Sequence, residues 1–217
     1  MAYTLQSELG LLEKELLTLS AVVEESLHLA SKALHDLDTE LAEKVIRNDQ
    51  QINRMEVDLE EECLKILALH QPVAHDLRTI IAILKINNDL ERIADLSANI
   101  CERVLAMAKA PPVDSPLEIA VMVLKSTEML EKALDALVNA DPALAGKILK
   151  LDEDVDKIHS GNYELFKGRI REHPEEVDSL LSYLTISRHL ERIADLATNI
   201  AEYVIYLNEG KIVRHKA

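Results

Sequence analysis

Apolar residues recur every three or four positions along most of this chain, the spacing that places them on one side of an α-helix. The first such series runs from about Tyr3 to Asp36. The second ends at Gln71, because the residue before Pro72 avoids the α region, and the third continues to about Ala108. The first half of the chain is therefore predicted to form three long helices.

The prolines of residues 111–116 interrupt this pattern at the middle of the chain, because closely spaced prolines cannot continue a helix. The second half then repeats the plan. A fourth helix follows this linker. A fifth runs from Pro142, with Asp141 as its N-terminal cap, to Glu172. A sixth ends near Asn208, where Gly210 terminates it.

One heptapeptide occurs twice, letter for letter, which indicates that the two halves are copies of one unit. The sequence LERIADL spans Leu90–Leu96 and recurs 100 residues later as Leu190–Leu196. A repeat of this kind identifies the architecture before any other feature does. We predict an all-α fold of two tandem antiparallel three-helix bundles, six long helices in all, related by internal duplication. The first repeat is placed in residues 1–110 and the second in residues 115–217.

The composition favours helices and excludes several classes of function. Only 3% of residues are aromatic, and such a composition favours helices over strands. The net charge is −15 at pH 7, so the chain lacks the basic surface that binds nucleic acid. No apolar run approaches the ~18 residues that span a bilayer, and the N-terminus does not have the pattern of a signal peptide. Cys63 and Cys101 show no metal-type spacing. The sequence predicts a soluble cytoplasmic protein that does not insert into membranes.

Each copy of the heptapeptide carries a glutamate and an aspartate four residues apart, on the side of the helix opposite its main apolar face. These are Glu91 and Asp95 in the first copy and Glu191 and Asp195 in the second. Two acids at this spacing repel each other by roughly 0.2–0.5 kcal/mol on an exposed helix. Because the pair is present in both copies, we expect something to neutralise it.

The preceding helix of each half carries polar residues at the height of the acidic pair. In an antiparallel arrangement, Asp49 and Asn53 of the second helix lie level with the first pair. The same counting in the second half places Asp152 and Asp156 level with the second pair, and His159 follows on the same side. Clusters of oxygen ligands suit hard cations such as magnesium, and a histidine shifts the preference toward iron or zinc.

Two other interpretations stay open at this point. In one, Arg92 and Arg192 share the acids in surface ion pairs, which are common and weak. A metal-dependent enzyme or metal-storage bundle of the di-iron type needs Glu-x-x-His on each of two helices. Glu25–His28 has that spacing, and Asp156–His159 fits it loosely, but they lie in different halves. No nucleophile, Gly-rich loop or cofactor motif accompanies the acids, so we predict that the protein is not an enzyme.

The duplicated Glu-Arg-Ile-Ala-Asp motif, followed in each copy by Asn-Ile, resembles the PhoU family of phosphate-uptake regulators. The similarity includes Asp49–Glu56, Gln71–Arg78 and Ile200–Tyr206, and it covers nearly the whole chain. It implies a cytoplasmic pair of three-helix bundles that often forms a homodimer. It also implies an adaptor between a phosphate ABC transporter and a sensor histidine kinase, which represses the phosphate-starvation response.

The resemblance further implies metal sites, because some members carry multinuclear iron or zinc clusters on their E/D-x-x-x-D motifs. By that pattern one site consists of Asp49, Asn53, Glu91 and Asp95, and the other of Asp152, Asp156, Glu191 and Asp195. The chain departs from the family at Ala94 and Ala194, where glycine is common. His159 stands where the first half has Glu56, which leaves open whether His159 or a neighbour completes the second site.

Overall fold

The computed structural model describes residues 4–111 and 113–211, which form α-helices joined by short turns. The first half contains α1 (Leu5–Asp36), α2 (Thr39–His70) and α3 (Ala74–Met107). The second contains α4 (Leu117–Val138), α5 (Pro142–Ile148), α6 (Asp152–Glu172) and α7 (Val177–Glu209), with a turn of 3-10 helix at Pro174–Glu176. These residues include no strand, so the predicted all-α fold is confirmed. Tyr3, the predicted start of the first helix, lies outside the described residues.

Two predicted helix boundaries are confirmed by their hydrogen bonds and backbone angles. The Asp141 carboxylate accepts hydrogen bonds from the backbone N–H groups of Ala143 and Leu144, at 2.9 and 3.0 Å. It thereby satisfies donors that the first turn of α5 leaves unpaired. The second boundary is the end of α7, which is terminated by Gly210. The φ of Gly210 is 68°, in the left-handed region that suits glycine.

The predicted fifth helix is interrupted by a turn at residues 149–151, which separates α5 from α6. The backbone N–H of Leu151 donates to the Ile148 carbonyl at 2.8 Å, a tighter turn than that of an α-helix. Asp152 is the first of three consecutive acids that begin α6, where the positive end of the helix dipole favours negative charge. This turn corrects the prediction of one continuous helix over Pro142–Glu172 and places Asp152 at a helix N-terminus.

One hydrophobic core extends through both halves. Within it α3 packs along α7, and α1 contacts α4. Ile93 and Ile193 of the duplicated heptapeptide are both 0% exposed, and burial of such a side chain stabilises the fold by about 1.5–3 kcal/mol. Because these isoleucines face the core, they set the rotation of α3 and α7 about their axes, and the acidic pairs lie on the sides toward α2 and α6.

The long helices are amphipathic rather than uniformly apolar. The 34 residues of α3, for example, give it a length of roughly 50 Å at the helical rise, yet charged residues interrupt its sequence throughout. Among the described residues, no helix is both long enough and apolar enough to cross a membrane.

Candidate metal-binding clusters

The first cluster lies between α2 and α3 and brings together the residues predicted for the first half. The side-chain amide of Asn53 donates to Asp49 Oδ2 at 3.2 Å. Burial raises the pKa of Asp49, and the nearby Asp95 raises it further. Burial also raises the pKa of Glu91, with additional contributions from Asp95, Glu56 and Asp49. These carboxylates are therefore close enough to oppose one another's ionisation.

The second cluster lies between α6 and α7. Asp152, Asp156 and Asp195 each offer a carboxylate oxygen, and the three oxygens lie within 4.8 Å of one another. Burial raises the pKa of Asp152 to about 6, and Asp195, Asp156 and Glu191 contribute to the increase. The pKa of Glu191 is likewise raised by burial and then by Asp195 and Asp156. The four predicted residues thus form one electrostatically coupled group, which a proton or a cation would stabilise.

Both clusters contain buried oxygens that accept no hydrogen bond from the described residues. They are Asp49 Oδ1 and Asn53 Oδ1 in the first cluster and Asp152 Oδ1 in the second. A buried polar atom without a partner costs about 1–3 kcal/mol. Since these oxygens only accept, a metal cation would satisfy them and offset the repulsion at the same time. Carboxylate and amide oxygens are ligands for magnesium, and carboxylates also bind iron and zinc, so the residues fit a metal.

The ion-pair interpretation of the duplicated acids is supported only by weak, longer-range attraction in the described part of the chain. Arg92 lowers the pKa of Glu91, and Arg192 lowers the pKa of Glu191 and Asp195, but burial and the neighbouring carboxylates raise these pKa values more. Arg92 and Arg192 are both exposed. The ion pairs of arginine within 4.0 Å are instead made by Arg47, Arg103 and Arg169, and none of them involves a residue of either cluster. Neither acidic cluster is therefore neutralised by a direct arginine contact among the described residues.

Beside each cluster, a hydrogen bond joins the two helices that carry it. In the first half, the side-chain amide of Asn87 donates to the Glu56 carbonyl at 2.9 Å and to its carboxylate at 3.3 Å. In the second half, His159 Nδ1 lies 2.8 Å from Ser187 Oγ. His159 follows Glu56 by 103 residues, the same offset that relates Asp152 to Asp49. His159 and Glu56 are therefore equivalent positions of the repeat, and Ser187 is the contact of His159 that the sequence reasoning missed.

In chelator, we expect the free energy of unfolding to decrease as the pH rises from about 4 to about 7. The folded protein raises the pKa of Asp152 from 3.8 to about 6, so it binds this proton more tightly than the unfolded chain does. The resulting stabilisation is fully present below pH 3.8 and is lost as the pH rises through about 6. Urea unfolding across this range tests the expectation. Asp152→Asn should show a smaller decrease than wild type, and an equal decrease would contradict it.

Comparison with known proteins finds the same domain twice in this chain, over residues 16–104 and 107–204, and that family is described as the PhoU domain. A protein of Aquifex aeolicus named phosphate-specific transport system accessory protein PhoU homolog is 36% identical over 209 residues, which is 96% of this chain and 95% of that protein. A protein of Escherichia coli (strain K12) named phosphate-specific transport system accessory protein PhoU is 34% identical over 211 residues, which is 96% of this chain and 87% of that protein.

Solved structures show the same similarity in three dimensions. The crystal structure of PhoU from Pseudomonas aeruginosa superposes with a TM-score of 0.91 at 36% identity, covering 96% of this chain and 100% of that chain. The crystal structure of the phosphate transport system regulatory protein PhoU from Streptococcus pneumoniae has a TM-score of 0.88 at 32% identity, covering 97% of this chain and 99% of that chain. The similarity extends over both halves of the fold.

Proposed function

The chain belongs to the PhoU family, and from this premise we propose that it regulates phosphate uptake by binding partner proteins rather than by catalysis. The observation that carries the proposal is the match of both repeats to one domain, in a chain whose relatives are named phosphate-specific transport system accessory proteins. The protein acts in the cytoplasm as a homodimeric adaptor between a phosphate ABC transporter and a sensor histidine kinase. When phosphate is plentiful, it represses the phosphate-starvation response.

In this proposal the two acidic clusters hold metal, either multinuclear iron or zinc or a hard divalent cation such as magnesium. The ligands come from Asp49, Asn53, Glu91 and Asp95 in the first repeat and from Asp152, Asp156, Glu191 and Asp195 in the second. The unpaired oxygens of Asp49 and Asp152 support this assignment. A bound cation supplies positive charge, and the carboxylates join α2 to α3 and α6 to α7 around it. The carboxylates would hold the cation between the helices, and its removal would weaken the contacts between those helices.

Purification from cells tests the adaptor function directly. A tagged copy of the chain, isolated after gentle crosslinking from cells grown in excess phosphate, should carry the transporter and the sensor kinase with it. In cells that lack the transporter, recovery of the kinase should fall, because an adaptor joins the two through a common complex. If neither partner is enriched over a tag-only control, the adaptor function is contradicted. Turnover of a substrate, or oxidation of added ferrous iron, would instead support a metal-dependent enzyme or a metal store.

A further inference from the structure

We propose that Glu24, His28 and Glu131 form a third metal site, suited to Zn²⁺ or a similar transition-metal ion, where the two repeats meet. Glu24 and His28 lie one turn apart on α1, in the first repeat, and Glu131 lies on α4, in the second. One ligand atom from each of the three side chains lies within 4.8 Å of the others. None of them belongs to the duplicated acidic motif, and the site would join the two halves rather than two helices of one half.

Two of these groups are already in contact, and they need to separate by only a few tenths of an ångström to bind one zinc ion. His28 Nε2 lies 3.0 Å from Glu131 Oε1. Two ligands of a tetrahedral zinc ion lie about 3.4 Å apart, because Zn–N and Zn–O bonds are about 2.0–2.2 Å long. The side chains of His28 and Glu131 are 49% and 41% exposed, so an ion can enter from solvent, and small rotations of the side chains can close the ligand set.

The types of donor select the kind of metal. Magnesium and calcium take oxygen ligands, whereas an imidazole with carboxylates suits zinc and related transition metals. Three protein ligands leave a fourth position of the tetrahedron for water or for Asp135, one turn beyond Glu131 on α4. Asp135 lies close enough to Glu24 to affect the ionisation of that carboxyl.

The negative charge at this junction exceeds what one histidine can balance. Burial raises the pKa of Glu24, His28 lowers it, and both Glu131 and Asp135 raise it again. The carboxylates of Glu24 and Glu131 both lie within 4.8 Å of the His28 imidazole. One imidazole balances at most one carboxylate, and only when it is protonated. A divalent ion would offset the charge of both carboxylates, which is the reason to expect a cation in addition to the ion pair.

The test is a titration of the whole chain with Zn²⁺, followed by NMR of the histidine rings, because this signal reports His28 separately from the acidic clusters. Zn²⁺ should shift the ring signals of His28. It should leave the ring signals of His35 unchanged, although His35 lies on the same helix with a side chain 86% exposed. His28→Gln should bind one Zn²⁺ fewer per chain at the concentration that fills the wild-type site. Its affinity loss should exceed the ~10–100-fold that results from removing an outer-shell partner.

Matched variants locate the site. Glu24→Gln and Glu131→Gln should reduce Zn²⁺ binding as His28→Gln does, and Glu25→Gln, at the exposed neighbouring position, should bind as wild type. Asp152→Asn alters the second acidic cluster and should leave the shift of the His28 signals unchanged. If Zn²⁺ fails to move the His28 signals of the folded wild-type chain, or if His28→Gln binds as much Zn²⁺ as wild type, the site is overturned and the contact is an ion pair only.

Discussion

The wild-type protein should melt about 5–11 °C higher in saturating metal than in chelator for each acidic cluster that is filled. A ligand bound only by the folded state stabilises it by about 2.7 kcal/mol when its concentration is 100 times the dissociation constant. Each kcal/mol corresponds to about 2–4 °C in a protein of this size. The expectation rests on the buried, unpaired oxygens of Asp49 and Asp152, which the unfolded chain exposes to water.

Replacement of Asp152 by asparagine should have opposite effects in the two conditions. In chelator, Asp152→Asn removes a carboxyl group whose ionisation is opposed by burial and by Asp195, Asp156 and Glu191, so the melting temperature should stay constant or rise. With metal present, the variant loses a charged ligand, and the increase that metal produces should become smaller. Asp49→Asn should behave in the same way for the first cluster.

Asp154→Asn is the matched control, because Asp154 lies in the same first turn of α6. Its carboxylate pairs with Lys125 at 3.0 Å and belongs to neither cluster. Loss of this exposed pair should change the melting temperature little, and by the same amount with and without metal. When zinc is the metal added in these melting measurements, every chain compared also carries His28→Gln, so that binding at the proposed site of Glu24, His28 and Glu131 does not contribute. A melting temperature insensitive to iron, zinc and magnesium would reject the cluster sites.

The duplicated helices and the first cluster follow from the sequence because long helices preserve their register. At 1.5 Å per residue, counting back from the turn near Gln71 places Asp49 level with the acids of α3. The structure accordingly has Asp49 and Asp95 close enough to affect the pKa of Asp49. The turn at residues 149–151 escapes this reasoning, because the apolar spacing continues through it while the backbone does not. Only the three consecutive acids that begin with Asp152 mark the new helix start.

Contacts between the halves are harder to predict than contacts within one half. Glu24 and His28 show the spacing of one helical turn in the sequence, but their partner Glu131 lies on α4. The repeat does not determine how α1 meets α4, because that contact depends on the packing of the shared core. The contact of His159 with Ser187 could have been found by aligning α6 with α2, since Glu56 and Asn87 occupy the equivalent positions.

Deletion of the gene for this chain should leave the phosphate-uptake genes expressed at high phosphate, so that the difference between starved and replete cells disappears. An adaptor that represses the starvation response is needed whenever phosphate is plentiful, and without it the sensor kinase receives no repressing signal. The measurement is transcript abundance of the uptake genes in wild-type and deletion strains in both media. A plasmid copy of the wild-type gene should restore repression.

Plasmid copies of the variants then show whether the acidic clusters take part in repression. If metal in the clusters stabilises the form that meets its partners, a copy that combines Asp49→Asn and Asp152→Asn should restore repression poorly at an equal protein level. The control Asp154→Asn should restore it fully, because its carboxylate lies outside both clusters. Full restoration by both copies would show that the clusters affect the stability of the protein but not repression. A deletion strain that represses the uptake genes normally at high phosphate would contradict the regulatory function itself, because repression would then not depend on this protein.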